Sequence, residues 1–352
     1  MSFSDLLRRQ LVFIVGKGGV GRTTVTLGIA LEAARRGQRV LAVELEGARG
    51  LEAALAAQRA STSPPEGLDR IEYMAIDGRR ALEEYLSLII PVRRLLKTVF
   101  SSSVYQYFVA AAPGLKELMT VGKLWYEADR RRGKDGQPHE LVLVDGPATG
   151  HSLQYLRMPQ AALEAFTSGL VHREAERVVG LLRDPEATAV VVVTLPEEMP
   201  ANESCDMYRG LNELGMHTAL LVVNQVHTAP CTRAELEEVA SRLRADAVAT
   251  RGKRRERAER KDAKEGRDGK SAGRDALLAE ILARAEEELG WSEINAAHLE
   301  RLAKEIPVPT VKLPYIFNEE FGAEEVCQLG RELSTQLDAT GAARPARAKS
   351  PR

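Results

Sequence analysis

The chain has 352 residues, of which 49 are Lys or Arg and 50 are Asp or Glu, so its formal net charge is −1. The length suits one large α/β domain or two small ones, and the 44% hydrophobic and 28% charged residues are typical of a globular protein rather than a disordered one. A charge this close to zero argues against a surface built for nucleic acid, so no specific nucleic-acid partner is expected.

Short runs of aliphatic and β-branched residues predict seven strands, the weakest of which is the third. In chain order they are Leu11–Val15, Val40–Leu45, Ile71–Ile76, Leu141–Val144, Ala189–Thr194, Ala219–Val223 and Val308–Leu313. Helical patterns lie between them, for example Thr24–Arg36, Ala161–Leu182 and Arg233–Leu243. Continuous apolar runs are what a parallel strand buried on both faces requires. The alternation predicts an α/β fold with a doubly wound, mostly parallel sheet.

We expect a single domain over residues 1–338. Residues 79–132 contain no strand pattern and predict a helical subdomain above the carboxyl ends of the strands. Residues 250–275 are rich in charge and poor in aliphatic residues, which predicts a mobile insertion, and the basic tail 339–352 is expected to be disordered. No apolar run approaches the roughly 20 residues that cross a bilayer. The expected location is the cytoplasm, including a peripheral position at a membrane.

A glycine-rich segment follows the first predicted strand and opens a helix. It fits two motifs and consists of Gly16, Lys17, Gly18, Gly19, Val20, Gly21, Arg22, Thr23 and Thr24. The first motif is the GxGxxG dinucleotide-binding turn, with Glu44 or Glu46 available to bond a ribose. The second is a phosphate-binding loop, in which Arg22 stands where Lys is usual.

The side chains of this segment favour the phosphate loop. Such a loop needs backbone amides that face the ligand, a helix N-terminus, a cation and a hydroxyl group for Mg²⁺. Lys17 and Arg22 supply positive charge, and Thr23 supplies the hydroxyl. A nicotinamide site does not require the combination of Lys17, Arg22 and Thr23. An NAD-binding oxidoreductase is nevertheless the competing hypothesis, and it predicts NAD binding that is insensitive to Mg²⁺.

Two segments also resemble a known family. Lys17–Thr24 resembles the deviant phosphate loop KGGVGKTT, which carries a signature lysine near its start and marks a class of dimeric ATPases. Val144–Leu153 resembles the switch segment DTAPTGHTL of the arsenical-pump and tail-anchored-protein-targeting ATPases. Further matches, all in family order, are Pro113-Gly114 with Glu117, Val223-Asn224-Gln225 and Leu313-Pro314. The resemblance spans about residues 10–335 and implies a P-loop ATPase.

The resemblance implies a role for each matching residue. ATP and Mg²⁺ would bind at Gly16–Thr24, with Thr23 and Asp145 on the metal. Gly150 and His151 would form a mobile turn that senses the γ-phosphate. Lys17 would reach the nucleotide of a second subunit, which implies a homodimer or a heterodimer with a paralogous ATPase. The adenine base would lie between Asn224 on one side and Leu313 and Pro314 on the other.

The chain departs from the family pattern at two positions. Arg22 replaces the loop lysine, which places the positive charge differently. Glu46 aligns with the water-positioning aspartate of the first switch, and a misplacement of about 1 Å can cost on the order of 10²-fold in rate. We therefore expect Lys17, Glu46 and Asp145 to form the catalytic set, with slow or partner-dependent hydrolysis. A catalytically weak regulatory or scaffold subunit is the alternative.

The expected client is a protein or a membrane protein. Large apolar residues between Leu82 and Phe108 predict either a helical core or a groove for a partner helix. The family's CxxC zinc clamp is missing, because Cys231 has no second cysteine beside it. The other cysteines, Cys205 and Cys327, are far away in the sequence, so a thiol cluster for a metalloid is not expected.

Overall fold

The computed structural model describes residues 1–45, 50–89, 98–111, 114–130, 139–245 and 268–342. All seven predicted strands form, and they are β1 Leu11–Gly16, β2 Val40–Leu45, β3 Ile71–Ile76, β4 Leu141–Ala148, β5 Thr188–Thr194, β6 Thr218–Val226 and β7 Thr310–Pro314. They make one sheet in the order β3-β2-β4-β1-β5-β6-β7. The predicted α/β fold with a mostly parallel sheet is therefore confirmed.

The centre of the sheet is parallel and buried on both faces. β1 lies between β4 and β5, and β2 lies between β3 and β4, with every one of these pairs parallel. Val12 and Ile14 of β1 pack in the main core, and the alternating residues Leu11 and Phe13 on the opposite face are buried as well. Helices must therefore cover both faces, which explains why the strand sequences are almost entirely apolar.

The described helices follow the predicted alternation. They are α1 Phe3–Leu7, α2 Arg22–Arg35, α3 Gly50–Ala60, α4 Gly78–Ile89, α5 Ser103–Ala111, α6 Leu115–Arg130, α7 Thr149–Ala165, α8 Leu170–Arg183, α9 Glu198–Glu213, α10 233–245, α11 Asp268–Glu305 and α12 Ala323–Ala342. The prediction of one helix over Ala161–Leu182 is wrong. The segment belongs to α7 and α8, because Gly169 takes φ +94 just before α8 and breaks the helical path.

The chain divides into two compact units. The first comprises Met1–Gln225 and Arg301–Arg352, and the second is Val226–Glu300. The second unit contains α10 and most of α11, which an ion pair of 2.8 Å between Arg233 and Glu293 joins. The single domain over 1–338 stays a prediction. Of the predicted charged insertion, residues 250–267 lie outside the described part and 268–275 belong to α11; of the predicted tail, 339–342 belong to α12 and the rest lies outside.

Helices α4, α5 and α6 form the predicted helical region. Leu82, Tyr105 and Val109 are buried together, so this part of the apolar stripe is core, whereas Tyr107 is 76% exposed. Residues 90–97, which also belong to the stripe, lie outside the described part. No helix within the described ranges is both long enough and apolar enough to cross a membrane.

Candidate functional site

The glycine-rich loop joins the end of β1 to the start of α2. Gly21 is the N-cap of α2 and has φ +88, a left-handed conformation that favours glycine, and Gly19 has the same φ. A Cβ atom on Gly18 or Gly19 would meet no described atom within 4 Å. The loop is therefore open on this side, next to a helix N-terminus whose amides and dipole attract anions.

A hydroxyl and a carboxylate meet directly behind the loop. Thr23 Oγ1, in the first turn of α2, donates a hydrogen bond of 2.6 Å to Asp145 Oδ2. Asp145 lies on β4, the strand next to β1, and is only 6% exposed. Its other oxygen, Oδ1, is buried without a hydrogen-bond partner among the described residues. This pair has the oxygen chemistry that Mg²⁺ prefers.

Arg22 lies beside this carboxylate. Burial lowers the pKa of the Arg22 guanidinium, while the charge of Asp145 acts in the opposite direction. Burial likewise raises the pKa of Asp145, against the opposing effects of the Thr23 bond and Arg22. Arg22 Nη1 is a second buried atom to which the described residues offer no partner. A phosphate oxygen for Arg22 and a cation for Asp145 would satisfy both atoms, so the residues present fit a magnesium-bound phosphate group.

Glu44 is a further buried carboxylate at this site. It stands next to Asp145 in the register of β2 and β4 and is 1% exposed. Its Oε1 accepts a hydrogen bond of 3.0 Å from the Leu51 amide, and its Oε2 accepts one of 2.9 Å from the Tyr73 hydroxyl. Sequence reasoning considered Glu44 only for a ribose. The signal for its present position was a charged residue inside an otherwise apolar strand.

Lys17 pairs with a glutamate of α9. Its Nζ forms an ion pair of 2.9 Å with Glu203 Oε1 on α9, and the two side chains are 28% and 35% exposed. The two cations of the loop therefore have different neighbours: Arg22 lies beside Asp145 and has a buried Nη1, whereas Lys17 pairs with Glu203 on α9. Glu203 was missed by sequence reasoning, since nothing in the sequence of α9 distinguishes it from other exposed glutamates.

Asn224 supports the loop from β6. Its side-chain amide donates a hydrogen bond of 3.0 Å to the backbone carbonyl of Val20, and the residue is 5% exposed. A Cβ atom on Gly21 would overlap this amide. Leu313 belongs to the main core and Pro314 is half-buried at the end of β7. Their contact with an adenine base, like that of Asn224, stays a prediction.

The switch segment leads from β4 into α7. Gly150 and His151 lie in the first turn of this helix, and His151 is exposed. The mobile, γ-phosphate-sensing turn that the resemblance implies for them stays a prediction. Further along α7, the Gln154 amide donates to Glu117 of α6 at 3.1 Å. Glu46, the predicted water-positioning residue, lies outside the described residues. The strand that carries Asp145 is thus continuous with a helix that contacts the helical region.

The cysteines of the chain are all free thiols. Burial, together with Glu305, raises the pKa of Cys205 to about 11, and Cys231 and Cys327 are half-buried. The described ranges contain no group of three or more His, Cys, Asp or Glu side chains that is placed to hold a metal ion. No thiol-rich metal site is visible there.

In this sheet the first strand leads through an open glycine loop into a helix, and Thr23 and Asp145 pair behind the loop. This arrangement defines a P-loop nucleotide-binding protein. The sequence model of the anion-transporting ATPase family matches residues 9–175 and 170–247. The chain therefore belongs to the anion-transporting ATPase family, which confirms the family predicted from the loop and switch motifs.

Three named relatives illustrate the range of this similarity. ATPase BagA of Mycobacterium tuberculosis is 29% identical over 222 residues, which cover 61% of this chain and 65% of that protein. The arsenical pump-driving ATPase of Escherichia coli is 26% identical over 253 residues, covering 66% and 38%. ATPase get3 of Pyrenophora tritici-repentis is 22% identical over 263 residues, covering 64% and 76%. The chain spans less than two-thirds of the bacterial relatives' own length.

Proposed function

We propose that the chain is a magnesium-dependent ATPase that works as a slow nucleotide switch. The observation that carries this proposal is the pair of Thr23 and Asp145, 2.6 Å apart behind an open glycine loop at a helix N-terminus. Membership of an ATPase family supports the same conclusion. The nicotinamide hypothesis has no comparable support, because it gives no role to the Thr23–Asp145 pair or to the buried Nη1 of Arg22.

In this proposal the loop residues Gly16–Thr24 bind the triphosphate through backbone amides, and the Arg22 guanidinium binds a phosphate oxygen. Thr23 and Asp145 hold the Mg²⁺ ion, which neutralises phosphate charge when bound. The direct bond between the two residues would give way to shared contact with the cation. Asn224 keeps the loop in shape and contacts the base together with Leu313 and Pro314.

We further propose that ATP closes a dimer through Lys17. Its side chain is partly exposed, so a second subunit can reach it. The dimer is a homodimer or a heterodimer with a paralogous ATPase. Because Glu46 and Arg22 replace the usual Asp and Lys, hydrolysis in this dimer is slow.

The nucleotide state is passed to the helical region in this proposal. Helix α7 follows the strand of Asp145 without a break and contacts α6 through Gln154 and Glu117. Gly114, before α6, has φ +77 and packs so closely against Met158 of α7 that a Cβ atom would overlap the Met158 sulfur unless that side chain moved. The client is a protein or a membrane protein, and the chain works in the cytoplasm, including at the membrane surface.

Calorimetry with Mg–ATP on the folded chain tests the binding step. We expect binding that EDTA weakens strongly, and a loss of binding in Thr23→Ala. Absence of Mg–ATP binding at millimolar concentration would refute the proposal. Single-turnover hydrolysis then tests the slow step, for which we expect acceleration in the double variant Arg22→Lys and Glu46→Asp.

A regulatory subunit that binds ATP but scarcely hydrolyses it is the second candidate. The substitution at Arg22 favours it, because this half-buried residue, whose Nη1 is buried without a partner among the described residues, stands where the family has its loop lysine. The two candidates differ in one assay. A regulatory subunit stays inactive alone in single turnover and raises the rate only when a paralogue is added.

A further inference from the structure

Glu44 is an unusual residue for a buried parallel strand, and it lies near the carboxyl end of β2. On β2 it continues the alternation of Val40 and Ala42, and on β4 Asp145 continues that of Leu141 and Leu143, all of which pack on the side of α2. The two carboxylates therefore project from neighbouring strands on the same face, towards Thr23. They are 1% and 6% exposed, and burying two such charges side by side is costly unless a cation compensates them.

Glu44 and Thr23 both lie close to Gly50, the first residue of α3. A Cβ atom built on Gly50 would lie 3.8 Å from Glu44 Oε1 and 3.6 Å from Thr23 Oγ1, both ordinary contact distances. Gly50 itself is exposed. The position of Gly50 is therefore within ordinary contact distance of both the Thr23 hydroxyl and the Glu44 carboxylate, so the methyl group of an alanine there would lie against both.

The charges also require a counter-ion. Glu44 stands opposite Asp145 in the register of β2 and β4, and Arg22 is the neighbouring cation. Two carboxylates against one guanidinium leave a net negative charge. The bonds that Glu44 accepts, from the Leu51 amide and the Tyr73 hydroxyl, orient the carboxylate but come from neutral donors.

We propose that Glu44 is a third oxygen donor at the magnesium site, acting with Thr23 and Asp145 through the waters that the cation carries. This inference rests on the proposed function and extends it. Mg²⁺ commonly keeps several waters and uses only one or two carboxylates, so a hydroxyl and two carboxylates are sufficient protein ligands. A consequence is that the chain binds the divalent cation before any nucleotide is present.

The experiment measures Mn²⁺, as a probe for Mg²⁺, by electron paramagnetic resonance on the nucleotide-free chain. We expect Glu44→Gln to bind Mn²⁺ about 10- to 100-fold more weakly than the unaltered chain, as for other outer ligands of metal sites. Tyr73→Phe is the matched control, because it removes a hydrogen bond to Glu44 and keeps the charge. It should retain most of the affinity.

Gly50→Ala provides a second variant in case Glu44→Gln does not fold, as judged by circular dichroism. Its methyl group lies against both Thr23 and Glu44 and should also weaken Mn²⁺ binding. The inference is overturned if the unaltered chain binds no Mn²⁺ without nucleotide, if Glu44→Gln binds it normally, or if Tyr73→Phe loses as much affinity as Glu44→Gln. Mg–ATP calorimetry on the same material reports separately on the proposed function.

Discussion

Replacing Asn224 by Ala should destabilise the chain even when no nucleotide is bound. The Asn224 amide donates to the Val20 carbonyl at 3.0 Å, and both residues are almost completely buried. The alanine variant leaves that carbonyl without a partner, which costs about 1–3 kcal/mol at a buried position. The equilibrium constant for unfolding should therefore rise roughly 5- to 150-fold.

Urea unfolding in EDTA, followed by circular dichroism and extrapolated linearly to water, measures this change. Asn212→Ala is the matched control, since Asn212 is an exposed residue of α9 and the same exchange there should stay within about 0.5 kcal/mol. Mg–ATP affinity is measured in parallel and should also fall, because the loop loses its support.

Either of two outcomes would refute this reasoning. If Asn224→Ala unfolds like the unaltered chain in EDTA and only the affinity for ATP decreases, then Asn224 acts on the base and not on the loop. Equal losses of stability in Asn224→Ala and Asn212→Ala would refute it too, because the exposed asparagine makes no buried bond.

Two further predictions concern the Lys17–Glu203 ion pair and the contact of Gly114 with α7. Glu203→Gln should release Lys17 and strengthen dimerisation with a non-hydrolysable ATP analogue, measured by sedimentation. A partly exposed ion pair contributes about 0.2–1 kcal/mol and a dimer uses two lysines, so the gain in dimer affinity is at most about 30-fold. Weaker dimerisation would contradict the prediction. Glu213→Gln, on the same helix, is the control. Gly114→Ala should lower the free energy of unfolding by about 1–2 kcal/mol because of its left-handed backbone alone, and by more because of an overlap with Met158 that Met158→Ala relieves. Urea unfolding of the single and double variants measures both effects. A Gly114→Ala variant as stable as the unaltered chain would contradict the prediction.

Local signals were sufficient for much of the site. The glycine spacing after a strand predicts the loop, because only such a sequence takes the left-handed turns at Gly19 and Gly21 that lead into α2. Thr23 and Asp145 were predicted to share a metal ion from their motifs, and the structure brings them within hydrogen-bond distance. Their metal role still awaits its test.

Local signals gave a wrong helix boundary where the helical pattern continued across a break in the helix. The segment 161–182 has a helical pattern throughout, yet Gly169 interrupts it with a backbone conformation that a residue pattern does not reveal. The resemblance implied a mobile turn at Gly150 and His151; the structure places them in the first turn of α7, directly after β4, and their response to the γ-phosphate stays a prediction.

The sequence by itself determined the strands, the sheet class, the family and the position of the loop, because each depends on residues that are close together along the chain. Only the tertiary structure decided that Glu44 stands beside Asp145, that Lys17 pairs with Glu203, and that the Asn224 amide holds the loop. These contacts join residues on separate elements, and the order of strands in the sheet brings them together. No spacing in the sequence encodes that order.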